Sequence, residues 1–332
     1  MALKALLLVG GFGTRLRPLT VSTPKQLLPI AGKPMIEWVV ERLVNHGVDE
    51  LILSLGYKSD AFLDAYPTGK ILGLPFKIAI EPEPRGTAGA IRFCAETVEL
   101  DETFLVLNGD VLTDLDTSSL LAFHRRSGGL ATIAMQTVEN PSRYGVISTS
   151  DTGQVMDFVE KPAPGTEPSN NINAGTYVME PGVLERIPTN TVVSIERETF
   201  PQLAADGELY AMSADSYWLD TGTPEQFLEA NIDALRSSST LETDNAMNCS
   251  VSDTAIVIES ILGRDSELQA GVSVNSSVLF SQCTIERDAS VTRSILADNV
   301  RVGEGSILED CVVAAHAVIP KNAYLKNKKV TK

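Results

Sequence analysis

A 17-residue period in the last third of the chain limits what it can fold into more than any other feature. Ile261, Val278, Ile295 and Val312 recur at that spacing, three of them directly after Ser260, Ser277 and Ser294. Leu268, Ile285, Val302 and Ile319 repeat with the same period, and so do Val274, Val291 and Leu308. Each unit therefore holds three apolar positions about six residues apart, among many β-branched residues. Such side chains suit strands, and helical spacing is absent. Three short strands per turn is the pattern of a hexapeptide parallel β-helix, whose repeats bury their apolar faces only by stacking. Stacked coils leave strand edges at their ends, which favours assembly with a second copy.

Upstream the rhythm changes. Apolar runs at Lys4–Val9, Leu51–Leu55, Phe76–Ile80 and Phe104–Leu107 read as buried strands. Helical patterns near Met35–Asn45, Ala88–Glu96 and Ser118–Arg126 separate them. This alternation predicts an α/β fold of βαβ units on a mostly parallel sheet. Ligands of such sheets bind beyond the carboxyl ends of the strands. That rule puts Gly10–Arg17 and Asn108-Gly109-Asp110 on one edge. Residues 144–179 predict a hairpin around Asp151–Gly153, ending in Glu160-Lys161-Pro162, and a strand over Asn171–Met179. A helix follows Thr223, with Pro224 in its first turn, and runs to Arg236. "SSSTLETDNAM" is polar and patternless. The predicted organisation is a first domain over 1–236, a linker over 237–247 and a β-helix over 248–332.

The 332 residues are 43% hydrophobic and 21% charged, as in an ordinary globular chain. A net charge of −16 argues against a nucleic-acid partner, yet allows a nucleotide at a locally basic loop. No apolar run reaches the 18 residues that a membrane span needs. The opening "MALKALLLVGG" has too short an apolar core for a leader and reads as a first strand. Four scattered cysteines without C-x-x-C and only three histidines argue against structural zinc and a disulfide framework. That usage fits the cytoplasm.

The basic loop is "GGFGTRLRPLT". Glycines let backbone N–H groups crowd an anion, and arginine gives phosphate a fixed, bidentate partner. Two known phosphate motifs are excluded. Gly11 and Gly13 lack the third glycine of a dinucleotide fingerprint, and Gly32-Lys33 is followed by Pro34 rather than by Ser or Thr. The strand Leu51–Leu55 ends in Gly56-Tyr57-Lys58, with no acidic ribose partner for a nicotinamide cofactor.

In chain order, "GGFGTRLRPLT", "PKQLLPIAGKPMI", "EPRGTAG", "NGDVL", "EKP", "NAGTYV" and "YWLDTGTPEQF" resemble the motifs of the sugar-1-phosphate nucleotidyltransferases, the nucleotide-sugar pyrophosphorylases. The resemblance covers about residues 3–232, and a β-helix tail is a frequent companion in that family. "RLRPLT" with "SIERETFPQLA" (Ser194–Ala204) is most similar to its mannose-1-phosphate guanylyltransferases. The resemblance implies a Rossmann-like domain followed by a left-handed parallel β-helix. It also implies the reaction. An oxygen of the sugar-1-phosphate attacks the α-phosphate of an NTP, and pyrophosphate leaves. GTP with mannose-1-phosphate is the leading pair, and glucose-1-phosphate thymidylyl-, uridylyl- or adenylyl transfer is the alternative. A regulatory homologue that binds nucleotide sugar without turnover is the alternative of another class. Intact Arg15, Lys25, Asp110, Lys161 and Asp220 argue against it.

The nucleophile in this reaction is already an anion, so no general base is needed, and catalysis is positioning and charge stabilisation. The resemblance assigns Gly10, Gly11, Gly13 and Thr14 to the nucleotide, Arg15 to the β/γ-phosphates and Lys25 to the α-phosphate. Asp110 and Asp220 are the implied ligands of Mg²⁺, with phosphate oxygens and waters completing its shell. Capping roles remain open for both. Gly86 and Thr87 are implied to line the base with Glu81 nearby, although Thr87 also suits a helix cap. Arg85 stands where many relatives have a small or apolar residue. Gly145, Glu160, Lys161 and Asn173 are implied on the sugar-phosphate side. Arg17 is open between a phosphate contact and a salt bridge, and Asp114 and Asp116 read as caps. The implied partners are an NTP, a sugar-1-phosphate and further copies of the chain, with no nucleic acid and no membrane.

Overall fold

Strands β1 (Leu3–Leu8), β2 (Val48–Leu55), β3 (Leu74–Ile80) and β4 (Phe104–Asn108) form on the four apolar runs. In this computed structural model, which describes residues 2–56, 58–237 and 248–331, they pair in parallel in the order β4-β1-β2-β3. Leu6 lies beside Ile52 and Val106, and all three are fully buried. A parallel sheet is covered on both faces, so its strands read as unbroken apolar runs. Helix α1 (Met35–Asn45) places Ile36, Val39, Val40 and Leu43 on one buried stripe, the spacing of a 3.6-residue turn. Helix α2 (Gly86–Thr97) follows β3. Helix α3 (Thr117–Ser127) starts at Asp116, whose carboxylate accepts from Ser119 N at 3.1 Å, and ends at left-handed Gly128.

Beyond α3 the same sheet becomes mixed. Strands β5 (Ala131–Thr137), β6 (Gly145–Thr149), β7 (Val155–Glu160), β8 (Asn171–Met179) and β9 (Leu209–Ser213) follow. β6 and β7 form the expected hairpin, and β8 runs antiparallel to β4, β5 and β6. β9 pairs in parallel with β5. The pairing of β8 with β5 shifts between Asn173 and Tyr177, around Gly175 at φ +75°. Buried rings of Phe158, Tyr177 and Phe200, with centroids 5.1–5.4 Å apart, close the core beneath that bulge.

These elements make up the first of two compact units, Met1–Gly11 with Ile36–Leu219. The second unit joins Phe12–Met35 to Asp220–Lys332. In it, helix α4 (Pro224–Ser237) carries fully buried Asn231, whose Oδ1 accepts from Ala31 N at 2.9 Å. Apart from Ser237, which ends α4, the predicted linker lies outside the described residues.

The rest of the second unit is a parallel β-helix of three five-stranded sheets, with neighbours in each sheet 17 residues apart. Two interior rows are those read from the sequence, through Leu268 and through Val274. The third is displaced by one residue. Leu262, Leu279, Leu296 and Val313 belong to the interior, while Ile261, Val278, Ile295 and Val312 face the other way. Successive side chains on a strand point to opposite faces, so a period alone does not set the phase. The outward row is buried all the same, because α4 packs on it. Phe227 meets Phe280 at 6.3 Å between centroids, and Leu228 and Ile232 share a cavity of about 550 Å³ with Ile295 and Val312. The serine before each of the first three apolar pairs is a rung. Ser277 N donates to Ser260 Oγ, Ser294 N to Ser277 Oγ and Cys311 N to Ser294 Oγ, at 3.0–3.1 Å.

Candidate active site

The loop after β1 is divided between the units, and each part has its own partners. In the first unit, Val9 N donates to Ser54 O, which brings Gly10 to the end of β2. A Cβ on Gly10 would lie 3.5 Å from Gly56 N and 3.7 Å from Glu81 Oε1, while one on Gly11 would meet nothing within 4 Å. Packing therefore leaves open space at Gly11, where a ligand can approach the backbone. Glu81 accepts from Ser54 Oγ at 2.9 Å and from Arg85 N at 3.0 Å. One donor on each oxygen leaves the carboxylate room for more, since it has about four acceptor sites.

Arg85 leads into α2 as its N-cap residue, without a side-chain cap. Its guanidinium stacks 4.6 Å over the Phe93 ring and reaches Asn190 Oδ1 at 3.2 Å. Gly86 has φ +72°, and a Cβ there would fall 2.5 Å from Val193 O. That same carbonyl accepts from Ala88 N at 3.0 Å and Gly89 N at 3.3 Å, satisfying the first donors of the helix. The Thr87 hydroxyl does not cap α2. It donates to Glu196 Oε2 at 2.7 Å and accepts from Ile195 N at 2.8 Å. Ser194 caps the π-helical turn Ile195–Thr199 and also donates to Glu196 Oε2 at 2.7 Å. Turns of that kind occur often at functional sites.

On the expected sugar side, Gly175 lies against the β4 end, where a Cβ would sit 2.7 Å from Asn108 Nδ2. Asn173 Oδ1 accepts from Gly175 N, and Asn173 Nδ2 donates to Tyr177 Oη, both at 2.9 Å. Burial pushes the Tyr177 phenol up, and the charges of Glu196, Glu160 and Asp110 push the same way, so it stays protonated. Glu196, Glu160 and Asp110, far apart in sequence, thus lie near enough for their charges to act on one phenol. Gly145 pairs with Glu160 across the hairpin, and a Cβ on it would lie 2.7 Å from the Phe158 ring and 3.0 Å from Glu160 Oε2. Lys161 Nζ is 3.1 Å from Glu160 Oε1, and the lysine side chain is more than half exposed. Tyr144 meets Trp218 edge-on at 5.5 Å, and Trp218 Nε1 donates to Ala174 O at 2.9 Å. Asp114 is not a cap, because it accepts from Tyr217 N at 2.6 Å.

In the second unit the loop folds on Thr20, whose hydroxyl donates to Gly13 O at 2.8 Å. Gly13 is left-handed at φ +58°, and a Cβ there would press 2.9 Å from Thr20 Cγ2. Thr14–Leu16 and Lys25–Leu27 form single 3₁₀ turns. Lys25 is 5% exposed, so it is not a solvated loop lysine. Arg15 and Asp220 converge on Gly222, where a Cβ would lie 2.6 Å from Arg15 Nη2 and 2.9 Å from Asp220 Oδ1. The Arg15 carbonyl accepts from Lys329 Nζ at 2.8 Å. Arg17 is exposed.

No group of three or more His, Cys, Asp or Glu able to hold a metal occurs among the described residues. A pair of carboxylates still suits a hard cation whose shell is completed by phosphate oxygens and water. Asp220 beside Arg15 provides a metal-type donor and a phosphate-type cation at one point. Sequence reasoning missed Ser54, Thr20, Asn108, Tyr177, Glu196 and Gly222. All but Ser54 lie inside the quoted motifs, which marked their segments without marking the residues.

A family model described as nucleotidyl transferase matches residues 4–237, and one described as GlmU-like C-terminal hexapeptide matches residues 243–328. Mannose-1-phosphate guanylyltransferase 1 of Arabidopsis thaliana is 38% identical, over 95% of this chain and 92% of its own. The mannose-1-phosphate guanylyltransferase of Mycobacterium tuberculosis is 37% identical, over 87% of this chain and 83% of its own. Among solved structures, HddC from Yersinia pseudotuberculosis, complexed with GMP-PN, matches with a TM-score of 0.60 at 30% identity. That match covers 70% of this chain and 99% of HddC.

Proposed function

The chain belongs to the nucleotidyl transferase family, and from that premise we propose that it transfers GMP from GTP to mannose-1-phosphate, releasing pyrophosphate. One observation carries the choice of substrates. Relatives bearing the guanylyltransferase name match more than four-fifths of both chains, coils included.

A phosphate oxygen of mannose-1-phosphate forms a bond to the α-phosphorus of GTP. The bond from that phosphorus to the bridging oxygen breaks, and pyrophosphate carries the electron pair away. Arg15 binds the β- and γ-phosphates and stabilises the departing charge. Lys25 serves the α-phosphate, and its burial supports that role, since a charge is strengthened where water is scarce. The backbone of Gly10, Gly11 and Gly13, with Thr14, holds the nucleotide. Glu81, Gly86 and Thr87 face the base, and the acceptor-only Glu81 carboxylate suits the N–H donors of guanine. Gly145, Glu160, Lys161 and Asn173 take the sugar phosphate. Asp110 and Asp220 would hold Mg²⁺, which when bound supplies positive charge to the phosphates. We assign the reaction to residues 1–236 and a left-handed β-helix to 248–332. Four scattered cysteines without C-x-x-C support a reducing compartment such as the cytoplasm. The coil ends support a homo-oligomer.

The test is pyrophosphate release with Mg²⁺ from GTP, ATP, UTP or dTTP, each with mannose-1-phosphate and glucose-1-phosphate. Release confined to GTP with mannose-1-phosphate is the expected result. Release with another pair overturns the substrates and keeps the reaction. No release from folded protein leaves a nucleotide-sugar sensor.

A further inference from the structure

We infer that Glu196 is a positioning residue that sets discrimination among nucleobases, by fixing the Gly86–Thr87 loop. The inference rests on the proposed placement of that loop against the base. Residues 193–196 clamp residues 85–89 through five hydrogen bonds. Val193 N donates to Arg85 O, and Val193 O accepts from both Ala88 N and Gly89 N. Ile195 N donates to Thr87 Oγ1, which in turn donates to Glu196 Oε2. Ser194 Oγ donates to the same carboxylate oxygen and keeps it turned toward Thr87. At the other end, Arg85 N donates to Glu81 Oε2, and Ser54 Oγ to Glu81 Oε1. A connected path thus runs from Glu196 through Thr87 and the Arg85–Gly86 backbone to Glu81.

The backbone inside the clamp has no slack. Gly86 is left-handed, and its α-carbon passes so close to Val193 O that no side chain fits. The Thr87 hydroxyl is committed on both of its functions, as donor to Glu196 and as acceptor from Ile195. It therefore acts on a base through the loop it fixes rather than as an unengaged donor. Without the Glu196 carboxylate, Thr87 and Ser194 lose their common acceptor. The loop then loses the register that places its backbone groups, and wrong bases are rejected less well. Discrimination by a hydrogen-bonding site depends on such fixed partners.

The competing role is direct contact with the sugar, because the charge of Glu196 is felt at the Tyr177 phenol. Two substitutions separate the roles. In Glu196→Gln the amide oxygen still accepts from both hydroxyls, whereas Glu196→Ala removes the acceptor. The experiment is displacement of a fluorescent GTP analogue by GTP, ATP, UTP and dTTP, with the KM for mannose-1-phosphate measured in parallel. Glu196→Ala is expected to narrow the wild-type preference for its best nucleotide by about tenfold, with Glu196→Gln within about twofold of wild type. Thr87→Val in the Glu196→Ala background is expected to add little, since both remove one interaction. An equal loss of affinity for all four nucleotides overturns the inference. So does an unchanged preference, or a Glu196→Gln variant whose main defect is KM for the sugar phosphate. If wild type prefers a nucleotide other than GTP, the substrate reading fails, and the inference is decided on that nucleotide's preference. Wild type that binds no nucleotide overturns both.

Discussion

The coils of the β-helix and the candidate site reach order by opposite routes. In the coils each contact is repeated, as the rungs from Ser260, Ser277 and Ser294 show. In the site each contact is made once, between residues far apart in sequence. Thr87 meets Glu196, Gly175 meets Asn108, and Arg15 meets Gly222. Repetition spreads the cost of a change over neighbours, whereas a contact made once has no substitute.

The largest expected effect is therefore at a single position of the site. Asp110→Asn keeps the shape of the side chain and removes its charge. Turnover should fall by about 10³-fold or more across an Mg²⁺ titration, with little change in Tm. Near-normal pyrophosphate release would remove Asp110 from metal binding. Gly222→Ala should follow. Its new Cβ would meet the tip of Arg15, 2.6 Å away. A flexible side chain can yield, so the fold should survive while Arg15 is displaced, lowering kcat by about 10²-fold. A fall in Tm with kcat retained per folded molecule would show that Gly222 serves packing alone.

In the coils the informative contrast is between adjacent residues. Leu296→Ala empties an interior row, and about 2 kcal/mol of stability should be lost in urea unfolding. Ile295→Ala faces α4 and the cavity of about 550 Å³, where fewer atoms surround the side chain, so a smaller loss is expected there. The reverse order would place the interior row one residue earlier.

That pair also shows where the sequence was readable. The 17-residue period exposed the β-helix because one residue type recurs at one spacing. It did not give the phase of the third row, because Ile261-Leu262 and its equivalents are apolar on both faces of the strand. The stripe of α1 and the runs of β1 to β4 were legible for the same reason: burial imposes a period. Motif resemblance singled out the candidate loops, with Arg15, Asp110 and Glu160 on them. Their partners were hidden, since nothing periodic links Thr87 to Glu196, 109 positions away.

A smaller effect is expected from a buried network in the first unit that no motif marked. His124 hydrogen bonds with Thr132 at 2.8 Å and with Glu180 at 3.0 Å. Burial lowers its pKa below the ordinary 6.5, although Glu180 pulls the other way. The unfolded chain then takes up a proton at a higher pH than the folded protein does. Stability should be constant above the ordinary value and decline as pH falls through it toward the lowered one. Urea midpoints at pH 5 and 7.5 test this, and His124→Asn should reduce the difference between them. An unchanged difference would mean that other groups cause it.

The smallest expected effect bears on whether repeated and single contacts act separately. Within the second unit, the last coil sends Lys329 Nζ to the Arg15 carbonyl. There one residue of the repeat array meets one residue of the phosphate loop. The lysine is exposed, so the hydrogen bond competes with water and contributes little. It does, however, hold the backbone of Arg15, whose guanidinium is the one proposed to meet phosphate. Lys329→Ala should leave Tm and kcat near wild type and raise the KM for the nucleotide by about two- to threefold. Lys329→Arg should restore it, because a longer cation can still donate to that carbonyl. A KM unchanged in both variants would mean that the coils support the phosphate loop without tuning it. The expected rise would mean that the array, for all its redundancy, ends in a contact that is made once.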